Sequence, residues 1–154
     1  MGSRVHAAGM KARREKLDGM ICLEMVGYCC REPGCQKYPL PLRLLGYPVQ
    51  GDFIAVVGNG ASKGLVRDVS TSFSTNPRLP VQTLTVPLNG WILPSVRRSD
   101  QASFWSEGYK AVMISDSAFF RNWNYHLPCD TMDTLDIDFM AQVVESLLCF
   151  LLSK

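Results

Sequence analysis

A three-layer α/β/α sandwich on a mostly parallel or mixed sheet is the fold class this sequence predicts, and three observations carry the prediction. Short runs such as FIAVVG at 53–58 and AVMI at 111–114 are apolar on both faces and alternate with stretches of helical period. Strands without a polar face need cover on both sides, which two layers of helices supply. Turn signals separate the two kinds of segment, with Gly58-Asn59-Gly60 closing one strand and Pro87 another. The 154 residues, 47% hydrophobic and 19% charged, are read as one domain, residues 1–154, with a single core.

In chain order, residues 3–16 read as a helix and 20–26 (MICLEMV) as a strand. A Pro-, Gly- and Cys-rich stretch follows, and its length implies that 29–49 make an excursion over the surface. Residues 53–58 form the next strand. Residues 61–74 are expected to be helical, because Leu65, Val69 and Phe73 recur on one face. VQTLTV at 81–86 is strand-like. Asp100 has the position of an N-cap for a short helix through Glu107, with Gly108 at its C-terminal stop. AVMI at 111–114 is a strand apolar on both faces, and Asp136 caps a last helix whose expected buried stripe is Met140, Val143, Val144, Leu147, Leu148 and Leu151.

Composition excludes several roles. Sixteen Lys and Arg against fourteen Asp and Glu give a formal charge of +2. The only basic run, Lys11, Arg13, Arg14 and Lys16, reads as a solvated helix face, so no nucleic-acid partner is expected. No stretch approaches the ~20 apolar residues of a membrane span. Residues 1–16 lack the apolar core of a secretory signal, and Gly2 begins a myristoylation pattern that His6 interrupts. The sequence names no compartment. Six cysteines lack the paired C-x-x-C spacing of a zinc knuckle, which leaves thiols with at most one local disulfide among Cys29, Cys30 and Cys35.

Functional groups in such sheets collect on loops at the C-terminal ends of strands. Two residues meet that rule. Glu24 is a carboxylate inside an apolar strand, where it needs solvent, a metal or a cationic partner. His126, in NYHLPCDT with Tyr125, Cys129 and Asp130, is a loop imidazole that could ligate a metal or simply face water.

The stretches GSRVHAAG, DGMICLEMVGY and RSDQASFWSEGYKAVMISDSAFFRNWNYHLPCDTMDTLD, with the terminal helix, resemble the second half of the aminopeptidase Y and bacterial leucyl aminopeptidase family, which is similar in fold to glutaminyl cyclases. The resemblance covers nearly the whole chain and is weakest from Cys29 to Val49. Order and spacing carry it: an acidic residue in an LEMVG strand, a helix opened by Ser-Asp, an apolar strand, then Tyr-His followed by Asp-Thr.

The resemblance implies a metallopeptidase in which two zinc ions activate water against the peptide bond after an N-terminal residue. Glu24 matches one late acidic ligand and His126 the final histidine, each belonging to a different ion. Tyr125 aligns with a tyrosine that donates to the oxyanion in some relatives. Gln101 stands where the family often has His, and with Asp100 and Asp130 it is placed in the surroundings of the metals rather than on them. The family's His-x-Asp motif, bridging Asp and Glu-Glu pair have no counterpart, and the chain opens where the Glu-Glu pair should end, at Met1. The resemblance therefore implies an incomplete C-terminal half that is inactive alone and does not hold zinc stably. A non-catalytic binding module and a fragment of a glutaminyl cyclase are the alternatives. A half-sheet also implies an exposed edge and self-association.

Overall fold

A computed structural model describes residues 2–40 and 42–153. Met1, at which the resemblance places the end of the Glu-Glu motif, lies outside them. Four strands form one mixed sheet in the order β1-β4-β2-β3, from β1 (Met20–Leu23), β2 (Ile54–Asn59), β3 (Val81–Val86) and β4 (Ala111–Ser115). β1 runs parallel to β4 and β2 parallel to β3, while β2 and β4 are antiparallel. Helices α1 (Gly2–Ala12) and α3 (Gln101–Ser106) cover one face. Helices α2 (Lys63–Phe73) and α4 (Ile137–Leu152) cover the other.

Each face has its own apolar core. Ile54, Val56, Val112 and Ile114 point toward Val66, Val69 and Phe73 of α2 and Phe139, Val143 and Phe150 of α4. Val57 and Ala111 point the other way, toward Ala7 and Met10 of α1 and Phe104 and Trp105 of α3. This is the alternation a strand produces when both of its sides are covered. Close approach of α2 to the sheet needs Gly58, because a Cβ there would run into Val66 Cγ2.

Three expectations are corrected. The first strand stops at Leu23, not at residue 26, because Met25 adopts a left-handed φ of 55° that breaks the extended run. The first helix stops at Ala12, with left-handed Arg14 turning the chain and the Glu15 amide reaching back to the Met10 carbonyl. Asp100 already has helical φ and ψ, and its side chain makes no capping bond, so α3 is closed at its far end by Gly108 (φ 83°) rather than opened by a cap. Asp136, by contrast, caps α4 as expected, its carboxylate accepting from the Phe139 amide at 2.9 Å.

The expected stripe of α4 is also rotated. The side it buries is Phe139, Gln142, Val143, Ser146 and Phe150, while Val144, Leu148 and Leu151 are exposed. A helix apolar on nearly every side offers two seams, and periodicity alone does not say which one meets the sheet. Among the described residues no helix is long and apolar enough to cross a membrane.

Candidate functional site

Because β1 and β4 are parallel and β2 is antiparallel to β4, the ends of β1 and β4 and the start of β2 share one end of the sheet. Glu24 follows β1 there, with its amide still bonded to the Ile114 carbonyl at 3.0 Å. Its carboxylate is half-buried, and Oε2 accepts a hydrogen bond from Ser99 Oγ at 2.5 Å. Ser99 Oγ lies 3.2 Å from Cys22 Sγ, so the hydroxyl ties the start of α3 to β1. A carboxylate with one oxygen held in this way is oriented before any ligand arrives.

Four non-glycine residues near this end of the sheet have left-handed backbones: Met25 (55°), Ser117 (76°), Ala118 (49°) and His126 (61°). Such conformations cost energy and persist where the surroundings over-determine them, often at functional sites. The surroundings here include a buried network. Asp116 is fully buried and accepts from the Tyr28 amide at 2.8 Å and the Ala118 amide at 2.9 Å, which bind the loop after β1 to the turn after β4. Burial pushes its carboxyl above the usual range, opposed by those amides and by Arg121.

Arg121 is the second buried charge. Its Nε donates to Gln36 Oε1 at 2.8 Å, and Nη1 donates to the Tyr28 and Phe53 carbonyls at 3.2 and 3.0 Å. The guanidinium also lies over the Phe53 ring at 4.6 Å. Burial lowers its pKa, with Asp116 acting in the opposite sense. The guanidinium is therefore a strut between the turn after β4 and the segment from 28 to 53. Gly51 leaves it room, since a Cβ there would lie 2.5 Å from Nε. The same segment is tied by the Cys30–Cys35 disulfide and by the pairing of Cys30 with Gly51.

Between this segment and the α1/α3 face of the sheet lies a largely apolar cleft of about 130 Å³. Val57 and Met113 line its floor, Tyr38 and Leu42 one wall, and Glu24, Ser99, Arg98 and Tyr125 its polar parts. The structure thus brings Glu24 and Tyr125 to one cleft. His126 is exposed and stacks on Tyr125 with ring centroids 4.0 Å apart, and Tyr125 packs on Phe119 at 5.7 Å. Asp130 is exposed and accepts from the buried Asn122 side chain at 3.1 Å. Asp100 is exposed as well. Gln101 is fully buried, donates to the Val96 carbonyl at 2.6 Å, and does not line the cleft.

None of Ser99, Gln36, Arg121 and Asp116 is among the site residues expected from the sequence. The one local signal was a charged residue directly after an apolar strand, Asp116 after AVMIS. Among the described residues, no three His, Cys, Asp or Glu side chains are grouped so as to hold a metal. Glu24 and His126 can each offer one donor, whereas a zinc centre takes three or four. The described donor set does not by itself fit the metal.

No protein-family model matches the chain. The uncharacterized protein YfbL of Escherichia coli strain K12 is 44% identical over 151 residues, which is 98% of this chain and 45% of that relative. The Legionella pneumophila LapA aminopeptidase superposes on 97% of the chain with a TM-score of 0.66 at 16% identity, and LapB of the same organism on 98% with 0.67 at 18%. The chain spans 34% and 35% of those two proteins, so it spans less than half of each relative named here. At that identity the likeness is one of fold, and the α/β fold of this chain is that of a part of the Legionella LapA aminopeptidase.

Proposed function

We propose that this chain is the C-terminal part of a zinc aminopeptidase-type domain. In this reading Glu24 and His126 each give one ligand to a different metal ion, Tyr125 stands by the scissile carbonyl, and the cleft receives the first side chain of a peptide. The observation that carries it is the placement of Glu24 and Tyr125 at one cleft, at the loop-bearing end of a sheet whose fold matches an aminopeptidase. The remaining ligands and the general base come from polypeptide outside these residues. No hydrolytic step is assigned to the 154 residues alone.

Two measurements test the reading. The purified chain is expected to show no turnover of aminoacyl substrates and no stoichiometric zinc, and two tightly held zinc ions per chain would refute it. A hybrid in which this chain replaces the matched 151 residues of YfbL is expected to bind two zinc ions, and Glu24→Ala or His126→Ala to lower that to one. Retention of both ions in both variants would remove these residues from the metal site.

The formed apolar cleft supports a second reading, a binding module that works without metal. Saturable binding of a peptide with an apolar first residue, unchanged by a chelator, would favour it over the first.

A further inference from the structure

The register of the sheet lays one row of residues along the floor of the cleft. Ser115 of β4 stands opposite Ala55 of β2, and Ala55 opposite Gln82 of β3. Glu24 continues the β1–β4 pairing beside Ser115, its amide bonded to the Ile114 carbonyl. All four line the cleft, as do Met113, Val57 and Leu84 of the next row on the same face. The cleft therefore runs across the strands, from the end of β1 to the β3 edge. Three interstrand spacings of ~4.8 Å make the row about 14 Å long.

A roof covers the far part of that row. Tyr38 and Tyr47 line the cleft and stack with ring centroids 5.6 Å apart. The Tyr38 hydroxyl donates to the Pro48 carbonyl at 2.7 Å, and the Tyr47 hydroxyl to the Thr83 carbonyl of β3 at 2.9 Å. Both hydroxyls are thus occupied, and the rings offer the cleft apolar surface. The floor beneath is unfilled, since Ala55, Leu84 and Met113 belong to the sheet and yet are only half-buried. Polar groups collect at the opposite end, where Glu24, Ser99, Arg98 and Tyr125 stand.

A single ordinary side chain does not use this length. With bonds of ~1.5 Å, leucine or phenylalanine reaches about 5 Å from its Cα, roughly one interstrand spacing. An extended alkyl chain advances about 1.25 Å per bond, so about eight carbons starting beside Glu24 end under the tyrosines. A volume of about 130 Å³ spread along the row makes a narrow bore, suited to one methylene chain. We propose that the cleft binds an amphiphile with an unbranched alkyl chain of about eight carbons, carried by an ammonium-and-carbonyl head group that stays at the Glu24 and Arg98 end. The charges there fit that head, since a carboxylate attracts the ammonium and a guanidinium can donate to the carbonyl. The place of the alkyl chain follows from the trough, whereas the orientation of the head rests on the proposed aminopeptidase reading.

The test is calorimetric titration of the dilute 154-residue chain, in the presence of a chelator, with 2-aminoalkanoic amides whose side chains run from ethyl to dodecyl, each kept below its micellar concentration. Affinity is expected to rise about threefold per methylene up to about eight carbons and then to level off. Affinity that levels off at butyl, the reach of leucine, overturns the proposal, as does the absence of binding. Ala55→Leu places a larger side chain across the floor and is expected to weaken the octyl amide by more than about tenfold while sparing the ethyl one. If that variant's melt shows it unfolded, Gln82→Trp on the edge strand takes its place and is expected to move the plateau to shorter chains. A gradient indifferent to the folded variant also overturns the proposal. A gradient that persists while the YfbL hybrid takes up no zinc keeps the trough and removes the metal reading, and zinc uptake with a gradient that stops at butyl does the reverse.

Discussion

Asp136 shows how much one side chain can be read both from sequence and from structure. It precedes an apolar helical run, which is the signature of a cap, and its carboxylate does accept from the Phe139 amide while pairing with Arg31 at 2.9 Å. The amide, together with Arg31, holds its pKa below the usual carboxylate value. A lowered folded pKa means stability that is present above the unfolded value near ~4 and is lost as pH falls through the folded one. Asp136→Ala is therefore expected to cost about 1 kcal/mol at neutral pH and progressively less below about pH 4, read by denaturant titration at both pH values. A penalty that stays constant into acid would mean that the cap acts through packing instead. Glu24 was equally visible as a carboxylate in an apolar strand, yet the group that orients it was not. Ser99 is 75 positions away, and no local pattern marks a serine as the partner of a residue so distant. Arg121 and Gln36 were hidden for the same reason, since a buried guanidinium in a polar loop looks like any surface arginine until the fold closes over it.

At the scale of elements, periodicity succeeded where each segment meets water on one side or the sheet on both. β3 and the start of α4 lie where their patterns put them, while β2 is shifted by one residue at each end and β4 runs one residue longer. β1 ended early because Met25 takes a left-handed backbone, a conformation methionine rarely adopts and that no propensity for the residue announces. α4 was misread in rotation because both of its sides are apolar. Substitution can separate the two seams: Phe150→Ala, on the buried side, is expected to destabilise the chain by about 3–5 kcal/mol. Leu148→Ala, on the exposed side, should stay within about 0.5 kcal/mol, with thermal or denaturant melts as the measurement. Equal losses would place Leu148 in the core and overturn the assignment of the seams.

For the whole molecule, a short apolar β1 edge together with the exposed Val144, Leu148 and Leu151 of α4 carries a consequence in solution. The isolated chain is expected to form open-ended aggregates as concentration rises, while Val144→Glu/Leu148→Glu stays dispersed to several-fold higher concentration in light scattering. A parent chain that remains monomeric with a sharp melt at every concentration would count against this. By itself the sequence determined the class of the fold, the order of its elements and the cap at Asp136, and it pointed to Glu24 and His126 as candidates that follow β1 and β4 in the chain. Those features depend on spacing along the chain, and spacing is what a sequence records. Only the tertiary structure decided that Glu24 and Tyr125 share a cleft, that Asp116 and Arg121 brace it from within, and which side of α4 faces the sheet. Each of these depends on side chains far apart in the chain competing for the same buried volume, and that competition is settled only when the layers pack.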